Sequence, residues 1–268
     1  MDRDRNSDAI EAQHAAIRRE YRVQADAWGR RPIDAHLAWV ADQIGWDGTW
    51  RVLDVAAGTA LFARAIAARV RSVTAVDLTF EMLTRGRDLA RAQALSNIRF
   101  EQGAVEHLPF ADESFDGVVT RYSIHHFHEP ALALREMARV CRLDGRLVVV
   151  DMVSDDDPIV AGRHNQLERV ADRTHTTVLS PQRLIAEVVA AGFSLDTYLS
   201  REVDMVFDQW QPQLPANAPE RQAIRTALEE ELAGQGTTGM RPIVRDGALV
   251  FRHSWGIVIA RRRRTVLS

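Results

Sequence analysis

Between Arg51 and Val153 the chain repeats one unit: a short, nearly continuous apolar run, a turn, then residues with helical spacing. The runs VLDV (52–55), VTAV (73–76), GVVT (117–120) and RLVVVDMV (146–153) do not alternate apolar with polar. A strand with one wet face would alternate; one covered on both faces need not. Helices must therefore lie on both sides of the sheet, which makes the expected fold doubly wound α/β. The pattern predicts strands at Arg51–Val55, Val73–Asp77, Ile98–Glu101, Gly117–Arg121 and Arg146–Met152. Helices are expected at Leu61–Val70, Phe80–Ala94 and Ala131–Cys141.

The flanks read differently. Ile10, Ile17, Tyr21 and Trp28 fall on one face of an amphipathic helix over residues 8–31, which RRP ends. A second helix is expected over Asp34–Ile44. After Asp151 the stretch DMVSDDDP is acidic and turn-rich, and Ile159–Ser180 is polar and reads as helical, an insertion over the carboxyl edge of the sheet. Ser180 and Pro181 open a well-signalled helix that ends at Gly192. A strand over Phe193–Val206, a helix over Pro219–Leu232 and a last strand in GALVFRHSWGIVIARRRR complete the chain.

Composition narrows the function. With 34 Lys+Arg against 37 Asp+Glu, the formal net charge of -3 gives no global attraction to nucleic acid or anionic membrane. Arg261–Arg264 is the only basic block and reads as a solvated chain end. The single cysteine, Cys141, cannot form an internal disulfide and is expected as a small buried thiol within a helix. The charged N-terminus is unlike a signal peptide, and no apolar run reaches the ~18 residues of a membrane span. A cytoplasmic protein with a small-molecule partner, and neither nucleic acid nor membrane, is expected. Whether it forms a homo-oligomer stays open.

In open α/β sheets ligands bind at the carboxyl ends of the strands. There, Gly58 allows close backbone approach, and the helix that follows offers N–H groups to an anion. Asp77 ends the next strand 19 residues on, the distance at which a carboxylate reaches ribose hydroxyls. Positions 56–61 read AAGTAL, not G-x-G-x-x-G, which argues against a pyrophosphate ligand.

The segments VLDVAAGTALFA, AVDLTFEML, GAVEHLPFADESFDGVV, RYSIHHFHEP and EMARVCRLDGRLVVVD together resemble the class I S-adenosylmethionine-dependent methyltransferases of the ubiquinone/menaquinone biosynthesis type. The likeness is strong over 51–153 and weaker beyond. It implies a seven-stranded, mostly parallel sheet in one domain over 1–268. Residues 1–46 would form a helical lid, 51–153 the cofactor-binding core, and 154–180 and 207–240 insertions that cover the substrate. S-adenosylmethionine would be the cofactor, with Asp54, Ala56, Gly58 and Thr59 around its methionine end and Asp77 on the ribose. Leu78, Met82, Ala104 and Val105 would line the adenine, and Arg121 would complete the site. Two positions depart from the family pattern. Ala60 replaces a glycine, tolerable without strain only at negative φ and otherwise costing about 1 kcal/mol. Ala104 stands where many members carry an Asp for the adenine amino group.

Methyl transfer needs proximity and exclusion of water more than a catalytic side chain. An acceptor with a proton to lose also needs a base, for which neutral histidine suits. His126, His125 and His175 are the candidates, each also readable as a structural histidine, His175 as a capping or surface one. Tyr21, Trp28 and Tyr122 are candidate substrate contacts. No metal site is assigned, because adjacent side chains at His125, His126 and His128 diverge. The expected activity is methylation of carbon or oxygen on a small aromatic, quinone-like or polyketide-like molecule. The alternative is a protein of this fold that binds the cofactor without methylating.

Overall fold

In a computed structural model that describes residues 2–33, 35–210 and 216–263, the repeated apolar runs become the centre of one twisted sheet. Helices α1 (Asp2–Gly29) and α2 (Ala35–Asp42) precede β1 (Arg51–Val55), α3 (Leu61–Ile66), β2 (Ser72–Asp77), α4 (Phe80–Ala92) and β3 (Ile98–Gln102). Then follow β4 (Phe115–Arg121), α5 (Pro130–Val140), β5 (Cys141–Val153), α6 (Pro158–Ala171), α7 (Pro181–Ala190) and β6 (Phe193–Val206). The chain continues through α8 (Phe207–Trp210), α9 (Ala218–Leu232), β7 (Ile243–Arg245) and β8 (Ala248–Arg262). Asp34 and Arg264, which belong to an expected helix and to the basic block, lie outside the described residues, as do 211–215 of the second expected insertion.

The strand order is β3-β2-β1-β4-β5-β8-β6, with β7 paired to β8 at one side. Pairs among β1 to β5 are parallel, while β8 runs antiparallel to β5, β6 and β7. Neighbouring residues on one strand serve opposite layers: Leu53 and Val118 pack into one core, Val52 and Val119 into the other. Each of these four is essentially inaccessible to solvent, and burying such a side chain contributes roughly 1.5–3 kcal/mol. A third apolar cluster, including Phe207, Trp210 and Phe251, sits under α6, α8 and α9 at the antiparallel edge. Strand order reverses between β1 and β4, which opens a crevice at their carboxyl ends.

The sheet has eight strands where seven were expected, the short β7 being the addition, and two further elements differ from expectation. The helix expected to include Cys141 ends at Val140, and Cys141 opens β5, paired with Phe115 before a register shift to Gly117 opposite Arg146. The intervening turn is tight at Gly145, where an added Cβ would lie 2.7 Å from both the Cys141 sulfur and the Arg142 carbonyl oxygen. Cys141 is buried as expected, and burial pushes its thiol up to about 12. The helix expected through Ser180 stops at Ala171. Asp172 accepts the Thr174 backbone N–H at 2.8 Å and its hydroxyl at 2.6 Å, a local turn that competes with helix continuation.

Candidate active site

The crevice holds an open-mouthed cavity, about 1030 Å³ of space that runs out into solvent. Its floor is the turn after β1. Ala56, Gly58 and Ala60 all have positive φ, of 53°, 55° and 56°, so the backbone turns left-handed at every second residue. Tyr122, at the end of β4 on the same cavity, has φ 55°. Strained backbone of this kind gathers where a fold must hold a ligand.

Ala60 thus lacks the negative φ that would spare it strain. Its methyl group is fully buried in the core beside Leu61 and Phe62. About 1 kcal/mol of left-handed strain is therefore nearly offset by about 0.8 kcal/mol from burying one carbon. We expect Ala60→Gly to change stability by less than about 0.5 kcal/mol, since both terms vanish together; urea denaturation measures it.

Two carboxylates shape the turn. Asp54, buried in mid-sheet, accepts the Ala63 backbone N–H at 3.0 Å and so caps α3, which has no side-chain cap of its own. Burial pushes its carboxyl up to about 7, against the Ala63 hydrogen bond and the Arg121 charge, with the Asp77 charge adding to the rise. Asp77 accepts the Gly58 N–H at 2.7 Å on one oxygen and the Thr79 N–H at 2.8 Å on the other. Burial raises its pKa, and these two N–H groups limit the rise. Each oxygen keeps an acceptor site beyond its backbone bond, and Asp77 lines the cavity. A Cβ added at Gly58 would meet nothing within 4 Å, so the turn is open to a ligand on that side.

The far wall comes from the 3₁₀ turn Ile124–His126 and from α1, which lies across the cavity. Gln13 on α1 donates to the carbonyl oxygens of His126 at 3.0 Å and Thr174 at 2.6 Å. His14 on α1 meets Glu106 at 3.0 Å, and Tyr21 Oη lies 2.8 Å from His126 Nε2. The His126 Nδ1 faces the Thr174 carbonyl oxygen at 3.2 Å. A carbonyl can only accept, so Nδ1 carries the proton and Nε2 accepts from the Tyr21 hydroxyl. Burial and the charge on His125 lower His126 to about 4. Burial, with a nearby Asp172 charge, raises the Tyr21 phenol well above its ordinary value.

Behind this turn His125 pairs through Nδ1 with buried Asp151, which also accepts the backbone N–H groups of Ser123, Ile124 and His125. Burial opposes charge on both partners. Their mutual attraction and hydrogen bond outweigh it, raising His125 and lowering Asp151. His175 stacks on His125 at 5.3 Å and hydrogen-bonds Asn165 at 3.3 Å; burial and the His125 charge lower it to about 3.

The cavity is lined by Asp54, Ala56, Gly58, Thr59, Asp77, Leu78, Met82, Ala104, Val105 and Arg121, the ten positions singled out for the cofactor. Tyr21, Trp28, Tyr122 and His126 line it too, whereas His125 and His175 do not. His128 is exposed. Sequence reasoning missed Gln13 and His14, although they stand four and three residues before Ile17, on the face already marked as apolar. It also missed Asp151, a buried carboxylate two residues before the end of β5.

A family model described as "Methyltransferase domain" matches residues 53–149. The uncharacterized methyltransferase YcgJ of Bacillus subtilis (strain 168) is 35% identical over 160 residues, 60% of this chain and 63% of that protein. The YcgJ crystal structure superposes with a TM-score of 0.77 at 27% identity, covering 85% of this chain and 98% of the other. The uncharacterized protein YafE of Escherichia coli (strain K12) is 34% identical over 144 residues, 54% of this chain and 70% of that protein. A demethylmenaquinone methyltransferase of Renibacterium salmoninarum is 33% identical over 148 residues, 55% of this chain and 60% of that enzyme. The aligned stretch thus spans 60 to 70% of the length of these curated relatives.

Proposed function

We propose, for a chain that belongs to the S-adenosylmethionine-dependent methyltransferase family, that it methylates carbon or oxygen of a small aromatic, quinone-like or polyketide-like molecule. S-adenosylmethionine is the family's cofactor and supplies an electrophilic methyl group. The residues present fit it: Asp77 has acceptor sites to spare for the ribose diol, and the Gly58 side of the turn is open. Asp54, Ala56, Gly58 and Thr59 would hold its amino-acid end, Leu78, Met82, Ala104 and Val105 its adenine, with Arg121 beside Asp54. The observation that carries the reading is that one cavity joins this turn to His126 and to the apolar wall of Ile17, Tyr21, Trp28 and Phe127. That wall suits a flat, apolar acceptor, and the likeness to a demethylmenaquinone methyltransferase supports a quinone-like one.

The protonation states supply a route for the acceptor's proton. The Tyr21 oxygen can accept from an acceptor hydroxyl while its own proton moves to His126 Nε2. With a pKa of about 4, His126 is neutral at pH 7 and free to accept, but it is a weak base. Most of the rate therefore comes from holding the reactants together away from water, and the relay adds at most about 100-fold, the low end for general-base catalysis. Helix α1 forms the cover in this reading; α6, α8 and α9 pack on the apolar cluster at the antiparallel edge, and none of their residues lines the cavity.

Incubation with methyl-labelled S-adenosylmethionine and a panel of quinols, phenols and β-ketoacyl compounds tests the proposal. Label is expected in the organic extract. Tight S-adenosylhomocysteine binding without transfer to any member would instead favour a non-methylating binding protein. His126→Ala and Tyr21→Phe are each expected to lower kcat by about 10- to 100-fold and leave S-adenosylhomocysteine affinity unchanged. Unchanged kcat in both would make the histidine structural.

A further inference from the structure

Away from the cavity, α6 carries His164 and Glu168 four residues apart, which sets both on one helix face. Strand β8 brings His253 to the same point. The three side chains keep only 3%, 6% and 6% of their exposure, under the apolar cluster that contains Trp210 and Phe251. Glu168 Oε1 lies 3.3 Å from His164 Nε2 and 3.2 Å from His253 Nε2. One donor atom from each residue falls within 4.8 Å of the others, and among the described residues no other group of three His, Cys, Asp or Glu side chains converges this way.

A purely hydrogen-bonded triad would need both imidazoles to aim an N–H at the carboxylate. His164 does. His253 Nε2 comes as close but makes no hydrogen bond, and it is buried without a hydrogen-bond partner; His164 Nδ1 is in the same condition. Ligand atoms held at 2.0–2.1 Å from one ion sit roughly 3.0–3.4 Å apart, the separation that both histidines keep from Glu168. Two imidazoles and a carboxylate are donors that suit zinc and its neighbours in the first transition row, and these three leave a coordination position for water.

We propose that His164, Glu168 and His253 bind one divalent transition-metal ion, zinc in kind, that clamps α6 onto β8. None of the three lines the methyl-transfer cavity, so the role is structural. The clamp has a route to the histidine turn. Helix α6 leads into Thr174, whose carbonyl oxygen accepts from Gln13 and His126, and into Thr176, whose hydroxyl donates to the carbonyl oxygens of His125 and Phe127.

Full-length, tag-free protein stripped by a chelator and titrated with Co²⁺ tests this. One equivalent is expected to bind with saturable visible bands that Zn²⁺ displaces, and Zn²⁺ is expected to raise the Tm by several degrees. Glu168→Gln and His253→Gln should weaken Co²⁺ binding by more than about 100-fold, beyond what loss of an outer-shell partner does. A stripped wild-type protein with no Co²⁺ bands and no Zn²⁺-dependent Tm overturns the site, whether or not the variants fold. Wild-type binding that both folded variants retain, or bands showing thiolate coordination from Cys141, overturns it equally.

Discussion

Replacing Asp77 by Ala is expected to weaken S-adenosylhomocysteine binding by about 100- to 1000-fold in isothermal calorimetry, with little change in Tm. The magnitude follows from two charge-assisted hydrogen bonds, each worth about 1.5–3 kcal/mol, of which part is recovered by water in the open cavity. The separation of affinity from stability follows from burial. Burial raises Asp77's pKa, so its charge already strains the unliganded protein, and removing it relieves that strain while freeing the N–H groups of Gly58 and Thr79. Gly58 and Thr79 both line the open-mouthed cavity. Undiminished affinity in a folded Asp77→Ala protein would remove the basis for placing the cofactor's ribose here.

Replacing Asp151 has the opposite signature. Its carboxylate holds the N–H groups of Ser123, Ile124 and His125 together with the His125 ring, all buried. Asp151→Ala leaves that set without an acceptor and His125 without its counter-charge. A loss of about 3–5 kcal/mol is expected, as for removal of one partner of a buried pair, which lowers the Tm by roughly 5–15 °C in a chain of this size. The pH dependence has a definite sign. Asp151's carboxyl is lowered in the folded state, so its share of stability is present above the ordinary aspartate value and lost as pH falls through the folded pKa. His125 is raised, so its share is complete below the ordinary histidine value and lost as pH rises through the folded pKa. Wild-type Tm against pH should therefore carry both flanks of a plateau, and Asp151→Asn should lose both. Identical profiles for the two proteins would show that the pair carries no net charge interaction.

The parts of the fold that could be read along the chain are those whose physics is local. Strands β1, β2 and β4 are covered on both faces and show as apolar runs, and Ser180 with Pro181 marks the start of α7 because a cap acts within one turn. The turn after β1 was legible for the same reason: Gly58 follows β1 directly and Asp77 ends β2, its parallel neighbour. What stayed hidden depends on distance. Tyr21 and His126 stand 105 residues apart, and nothing near either announces the other. His164 and Glu168 have helical spacing, yet only the antiparallel return of β8 supplies His253. Asp172 ended α6 early through a side-chain turn that a polar, helix-compatible composition concealed. The start of β5 at Cys141 was missed because a register shift beside Gly117 lets the strand begin before the apolar run does.

Helix α1 roofs the cavity and also contributes the phenol that bonds His126. In the proposed reaction, docking of that helix and completion of the proton route are one event. Without α1 docked, the His126 imidazole lacks its relay partner. Turnover with the roof in place then gains the exclusion of water and the relay from the same contact.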